Sequence, residues 1–307
     1  MPFWKSVAEL TKIARLHIVL GGVLAFSVGA LLGVVDGGIV DPLKIIVFYA
    51  IVFFGDLSTH YGNDYFDVKK DGLQASRKFF AGKKILVTNP NLCRPAKATS
   101  LLFLLTSITL ATVAVIFSVA SIELLIIALA ANFAGWFYSA PPLQLVSRGL
   151  GEIIIALAAG FFIPAVGYLA VMGKFQNLFL FFILPFVFYG LMLALSLEAA
   201  DIKADNKTGK KNIGARKGEN FIFSLALASA LAAFIFFVCF AWQIGNLGIS
   251  FWLVTVFSLV PLTAGTVGLL GFKSGGNTNR WSTINVFSLF VFNFLMVMYL
   301  IVLTAGL

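Results

Sequence analysis

Residues 43–71 read LKIIVFYAIVFFGDLSTHYGNDYFDVKKD, an apolar run that ends in an acidic cluster. A helix needs about 20 largely apolar residues to cross a hydrocarbon layer of roughly 30 Å, and the part from Leu43 to Asn63 is long enough. The rest of the chain has the same character. Of its 307 residues 60 % are hydrophobic and 11 % charged, with a mean hydropathy of +0.99, whereas about 25 % charged residues is usual for a soluble domain. The expected fold class is therefore all-α, a multi-pass integral membrane protein with no room for a large soluble domain.

Working outward from 43–63, apolar runs of spanning length fall at about 14–35, 98–120, 121–137, 151–171, 177–200, 220–242, 248–271 and 283–305. Together these make nine predicted helices in one membrane domain, 1–307. The division of 98–137 rests on Ser121, Ile122 and Glu123 as a turn, and charge tests it. With the N-terminus on the cytoplasmic side, 20 of the 22 Lys and Arg fall on that side, and only Lys44 and Lys174 fall on the other. That is the asymmetry of the positive-inside rule; with eight spans, the two most basic loops would lie on opposite faces. The C-terminus then lies on the opposite face, and the net charge of +9 belongs to the cytoplasmic face, suited to anionic lipid headgroups or a phosphorylated substrate. Nothing points to nucleic acid. Cys93 and Cys239 sit in unlike settings and read as unpaired thiols. The first apolar run is too long for a signal-peptide core and reads as a retained span.

The 13 acids are unevenly placed, and seven gather toward the cytoplasmic ends of helices 2 and 6. In helix 2, Asn63, Asp67 and Asp71 are spaced by four and share a helical face. The steps from Asp56 to His60 to Asp64 form an adjoining polar strip that reaches deeper into the span. Helix 6 repeats the device with Glu198, Asp201 and Asp205. Unpaired, such like charges repel and are costly near hydrocarbon. A hard divalent cation with oxygen ligands relieves both problems, and Mg²⁺ is commonly held by one or two carboxylates together with substrate phosphates. The plainer alternative is that these acids pair with Lys69, Lys70, Lys203 and Lys207 as solvated helix ends. The recurrence four helices apart suggests two four-helix units, about 14–137 and 151–271, with a ninth helix at about 283–305, arranged around a central cavity.

The pattern Asn63-Asp64-x-x-Asp67-x-x-x-Asp71, followed by Asp201-x-x-x-Asp205-x-Lys207-x-Gly209, resembles the paired aspartate signatures of the UbiA-type intramembrane prenyltransferases. Further points of match are Arg15-Leu16-His17, Tyr138-Ser139-Ala140-Pro141-Pro142 and Gly149-Leu150-Gly151-Glu152. The last two are most similar to the branch that prenylates dihydroxynaphthoate in menaquinone synthesis. A departure lies at Ser76-Arg77-Lys78-Phe79-Phe80-Ala81-Gly82, where many members carry an Arg-Pro-x-Pro-Ser-Gly-like stretch. The resemblance implies transfer of a polyprenyl group from an isoprenyl diphosphate donor to an aromatic, quinone-precursor or other lipid-pathway acceptor inside the membrane, with diphosphate released. It implies Mg²⁺ held by Asn63, Asp64, Asp67, Asp71, Asp201 and Asp205, stabilising the leaving group. Arg15, Arg77, Lys78, Ser139, Arg148 and Lys207 are its candidate diphosphate contacts; each basic side chain reads equally well as a positive-inside charge facing lipid headgroups.

Within this picture Tyr138 offers an aromatic face to an allylic cation, a contact worth about 0.5–2 kcal/mol. Asp56 and His60 either activate or orient the acceptor or form a buried pair that fixes helix 2. Glu198 and Glu152 either orient neighbouring groups or touch the acceptor; Glu152 also suits the positive end of helix 5. The loops 72–97 and 206–219 are long enough to cap the cavity mouth or simply to be exposed. The alternative from another class is a cation-coupled secondary transporter, which explains Asp56 and His60 but not the paired aspartate spacing.

Overall fold

The computed structural model describes residues 3–72, 85–199, 202, 212–243 and 247–306. Among the described residues all regular structure is helical, and nine helices are long and apolar enough to cross a membrane. They are α1 (Leu16–Val35), α2 (Pro42–Asp71), α3 (Cys93–Ile116), α4 (Ile122–Ser139), α5 (Gly151–Met172), α6 (Asn177–Ala199), α7 (Glu219–Gln243), α8 (Phe251–Lys273) and α9 (Thr278–Thr304). The chain is an integral membrane protein: large apolar side chains such as Ile46, Leu102, Leu105, Leu270 and Phe287 are well exposed along the spans, where lipid replaces water.

The separation of α3 from α4 falls where charge asymmetry demands it. The Phe117 and Ser118 N–H groups bond back to Val113 and Val115 at 3.0 and 2.9 Å, and Ser118 takes a left-handed φ of 56°, so the helix stops. Beyond the apolar run that ends near 63, the acidic segment continues α2 for two more turns, as the shared helical face of Asn63, Asp67 and Asp71 requires: Tyr65–Lys70 contains no Gly or Pro and the first breaker is Gly72, whose N–H bonds Val68 at 3.2 Å. A short helix, Phe3–Thr11, also precedes α1 and is tied to α2 by the Tyr61 hydroxyl, which donates to the Leu10 carbonyl at 2.8 Å.

Lipid offers little hydrophobic drive between helices, so close packing of small residues decides which spans meet. At the α1–α5 crossing a Cβ on Gly29 would overlap the Pro164 carbonyl and one on Gly167 would overlap the Phe26 carbonyl, so the two backbones touch directly. α5 carries a π-helical turn at Ala158–Phe162, just before Pro164, which has no N–H to give. That turn lines the cavity described below. Gly167→Ala is expected to lower the thermal midpoint of the purified protein sharply, since overpacking against backbone costs about 1–3 kcal/mol or more. Gly22→Ala, with nothing within 4 Å of the added carbon, is the matched control; equal midpoints for the two would refute the close crossing.

Spans α1, α2, α4, α5, α6 and α9 contribute the walls of a central cavity of about 1010 Å³. α3 packs outside α2 and α4, while α7 and α8 pack outside α6 and α9.

Candidate active site

The cavity-facing side of α2 is set by polar contacts on its back. Ser100 and Ser107 of α3 donate to the α2 carbonyls of Ser58 and Ile51 at 2.7 and 2.8 Å, and Asn132 of α4 donates to the Ser107 hydroxyl at 2.9 Å. Such interhelical bonds are worth on average about 0.6 kcal/mol each; together they hold α2 in one rotation. The cavity wall then receives Asp56, Thr59, His60, Asn63, Asp64 and Asp67. At 1.5 Å rise per residue, Asp56 lies on the order of 16 Å below Asp67.

At the upper end of this strip Arg15 meets Asp64. Arg15 caps α1 with a left-handed φ of 48°, a costly conformation for a residue with a side chain, and its guanidinium forms an ion pair with the Asp64 carboxylate. Asp64 is only 6 % exposed. This pair joins a residue expected to bind diphosphate with one expected to bind metal, so each neutralises the other. One turn along, Asp67 accepts a hydrogen bond from the Ser139 hydroxyl at 3.0 Å, which binds the end of α4 to α2. Tyr138 also lines the cavity. Asp56 Oδ1 stands 3.4 Å from His60 Nε2 one helical turn away.

The opposite wall is built by α5, α6 and α9. Glu152 and Glu198 converge on consecutive backbone groups of the short helix Ile213–Lys217: Glu152 accepts from the Ile213 N–H at 2.7 Å, and Glu198 accepts from Gly214 N–H. A Cβ on Gly214 would press on the side chains of Glu198 and Ile202, so the glycine lets the carboxylate approach the backbone closely. Both acids line the cavity.

Other expected residues lie elsewhere. Arg148 is exposed, donates to the Pro142 carbonyl at 2.8 Å, and is not among the cavity-lining residues. Arg77, Lys78, Asp201, Asp205 and Lys207 lie outside the described residues. Asp71 closes α2, so its backbone position shares the face of Asn63 and Asp67. Sequence reading missed Asn132 and Arg280, both of which line the cavity. Asn132 carried a signal, a lone amide in an otherwise apolar span; Arg280 had only been counted as a loop charge. The rings on the wall are Tyr138, Phe162 and Phe290, and the remainder is largely small or aliphatic; most of the aromatic content packs the core or faces lipid.

The donor set fits a hard divalent cation. Asn63 Oδ1 is buried without a hydrogen-bond partner among the described residues, and the Asp67 carboxylate lies one turn further along the same helical face, also on the cavity wall. Among the described residues no three His, Cys, Asp or Glu side chains are grouped closely enough to form a cage by themselves. That suits Mg²⁺, which takes few protein oxygens when a phosphate supplies the others.

The sequence matches the UbiA prenyltransferase family over residues 23–294. No curated protein sequence matches it. Among solved structures, a UbiA homologue from Archaeoglobus fulgidus bound to DMAPP and Mg²⁺ is similar with a TM-score of 0.70 at 18 % identity, over 96 % of this chain and 99 % of that one. A UbiA homologue of the same organism bound to GPP and Mg²⁺ gives 0.71 at 17 % identity, over 96 % and 99 %. A structure described as digeranylgeranylglyceryl phosphate synthase gives 0.67 at 16 % identity, over 97 % and 99 %. These likenesses concern the fold, and with the match along the sequence they lead to one conclusion: the chain belongs to the UbiA prenyltransferase family and is an enzyme of the prenyltransferase class.

Proposed function

We propose that this enzyme transfers a polyprenyl group from an isoprenyl diphosphate to an aromatic, quinone-precursor acceptor within the membrane. The observation that carries the reading is the division of one cavity of about 1010 Å³ into a charged mouth, with Arg15, Asn63 and Asp67, and an apolar body between α1, α2, α5 and α9. An isoprenoid tail gains about 0.8 kcal/mol for each methylene-sized group buried there, while its diphosphate remains at the mouth.

Asn63 and Asp67, with Asp71, Asp201 and Asp205, would hold Mg²⁺, which supplies Lewis-acid stabilisation of the departing diphosphate. Arg15 orients the diphosphate, and Arg77, Lys78 and Lys207 are added to this clamp on sequence grounds alone. Ser139, expected from the sequence as a diphosphate contact, is buried and instead holds the Asp67 carboxylate. The allylic carbon–oxygen bond breaks with its electron pair leaving on the diphosphate, a carbon–carbon bond forms to the acceptor, and the acceptor carbon loses its proton. Tyr138 faces the developing cation. The Asp56–His60 pair, one to two turns below Asn63, is positioned to take that proton. Glu198, bonded to Gly214 N–H, steadies the end of α6 from which Asp201 and Asp205 follow.

The positive-inside asymmetry supports a cytoplasmic N-terminus, a mouth on the cytoplasmic side and a C-terminus on the opposite face. The halves 14–137 and 151–271 read as a pseudo-repeat, a reading supported by α1 and α5 starting, and α2 and α6 ending, at the polar mouth. Gathering of the carboxylates at one end favours this function over a transporter, whose coupling site belongs near the midplane.

The test is product formation by purified protein from geranyl diphosphate and dihydroxynaphthoate, with Mg²⁺ and with EDTA. Prenylated product and diphosphate are expected with Mg²⁺ and neither with EDTA; product formation unaffected by EDTA would refute the metal assignment. No turnover with dihydroxynaphthoate but turnover with hydroxybenzoate would move the acceptor to another aromatic.

A further inference from the structure

The cavity has a second polar surface that the donor does not require. Glu152 is 3 % exposed, Ser196 1 % and Ser282 5 %, and all three line the cavity. Glu152 Oε2, Ser196 Oγ and Ser282 Oγ are buried with no hydrogen-bond partner among the described residues. They come from three spans, α5, α6 and α9, on the wall facing α2. Packing brings them to one level. A Cβ on Gly190 would overlap the Ala156 carbonyl and one on Gly160 the Phe186 carbonyl, which sets α5 and α6 antiparallel with Glu152 within about a turn of Ser196. The Tyr189–Phe292 ring contact at 4.7 Å, two turns deeper, sets α6 against α9 so that Ser282 rises to the same end.

Leaving one oxygen of a buried carboxylate and two buried hydroxyls unbonded is costly, and three such groups on one cavity wall point to a ligand that bonds them. Glu152 is only half used: its Oε1 accepts from Ile213 N–H at 2.7 Å, which fixes the carboxylate plane and leaves Oε2 as a pure acceptor. The matching ligand group is a donor, a hydroxyl. A phosphate would be repelled by Glu152 and by Glu198, which stands beside it on the next backbone N–H. Tyr138 lies between the two walls, its ring within 3.4 Å of where a Cβ on Gly151 would stand, so a flat ring bonded at Glu152 lies next to the reacting end of the donor.

We propose that Glu152, Ser196 and Ser282 form the acceptor subsite and select a phenolic hydroxyl over a phosphorylated polyol. The proposal rests on the prenyl-transfer reading above and deepens it. Glu152 receives the acceptor hydroxyl as a hydrogen bond, and the serines bond the ring's second oxygen substituent.

Glu152→Gln tests this with little structural change, because the amide oxygen still accepts from Ile213 N–H while the outer position turns from acceptor into donor. With purified full-length protein, geranyl diphosphate, Mg²⁺ and dihydroxynaphthoate, the acceptor KM is expected to rise about ten-fold or more, as loss of a charged hydrogen bond implies. Mg²⁺-dependent binding of geranyl diphosphate, measured separately, should stay as in the wild type. Ser196→Ala should raise the acceptor KM by a smaller factor with donor binding again unchanged. An unchanged acceptor KM in both variants, or equal losses of donor and acceptor affinity, overturns the subsite; so does wild-type preference for an alkylated glyceryl phosphate over the phenol. If the wild type itself neither binds donor nor turns over, the functional reading falls, and the subsite with it.

Discussion

Asp67→Ala is expected to reduce prenyl transfer by about 10²–10³-fold or more, the scale on which preorganised stabilisation of a leaving group is lost, while the protein still folds. The carboxylate lines the cavity mouth and is steadied by the Ser139 hydroxyl at 3.0 Å, so its removal takes away one fixed charge and one hydrogen-bond acceptor. Alanine is the best helix former, and α2 has no reason to break at that point. Asp67→Asn sharpens the test: it keeps an oxygen for Ser139 to donate to and removes only the charge. Both variants are measured as initial rates of product from geranyl diphosphate at saturating acceptor, beside thermal unfolding of the same samples. If the asparagine variant works within about ten-fold of wild type, Asp67 serves packing between α2 and α4 rather than the diphosphate. Asp201→Ala is expected to behave as Asp67→Ala does, on the sequence pattern alone.

The spans were legible because hydrocarbon-length apolar runs have few alternatives, and the one ambiguous division, between α3 and α4, was decided by charge. The apolar run of α2 ends near residue 63, but polarity does not stop a helix; the helical spacing of the acids carries it on until Gly72, so Asp67 stands on a rigid element. The four-residue spacing of Asn63 and Asp67 survived intact because it is local. Contacts between distant positions were hidden for the opposite reason. The Arg15–Asp64 pair joins residues 49 apart through a left-handed turn at Arg15, which no residue type there announces. Glu152 and Glu198 meet only because glycine contacts lock α5 to α6 and the chain folds back at Asn212–Gly214. Asn132 was missed although a lone amide in an apolar span is a signal, and which helix it braces depends on packing.

Arg15→Met should destabilise the protein and abolish turnover, and a second substitution should separate the two effects. The Asp64 side chain is 6 % exposed and that of Arg15 19 %. Breaking such a pair by removing one partner costs about 3–5 kcal/mol, because the remaining charge stays buried; replacing both partners with apolar groups is often neutral or stabilising. Methionine matches the arginine stem in length, and the left-handed backbone at residue 15 is no worse for it, so the charge is the main thing removed. Arg15→Met alone is therefore expected to lower the unfolding midpoint markedly, and Arg15→Met with Asp64→Leu to recover most of the loss. Turnover should not recover in the double variant, because the guanidinium at the mouth is still missing, and donor affinity should remain weak. If the double variant regains both stability and turnover, Arg15 acts only to neutralise Asp64, and the diphosphate must be held by other cations. If the single variant unfolds at the wild-type temperature, the pair is solvated and contributes as little as a surface ion pair, roughly 0–1 kcal/mol.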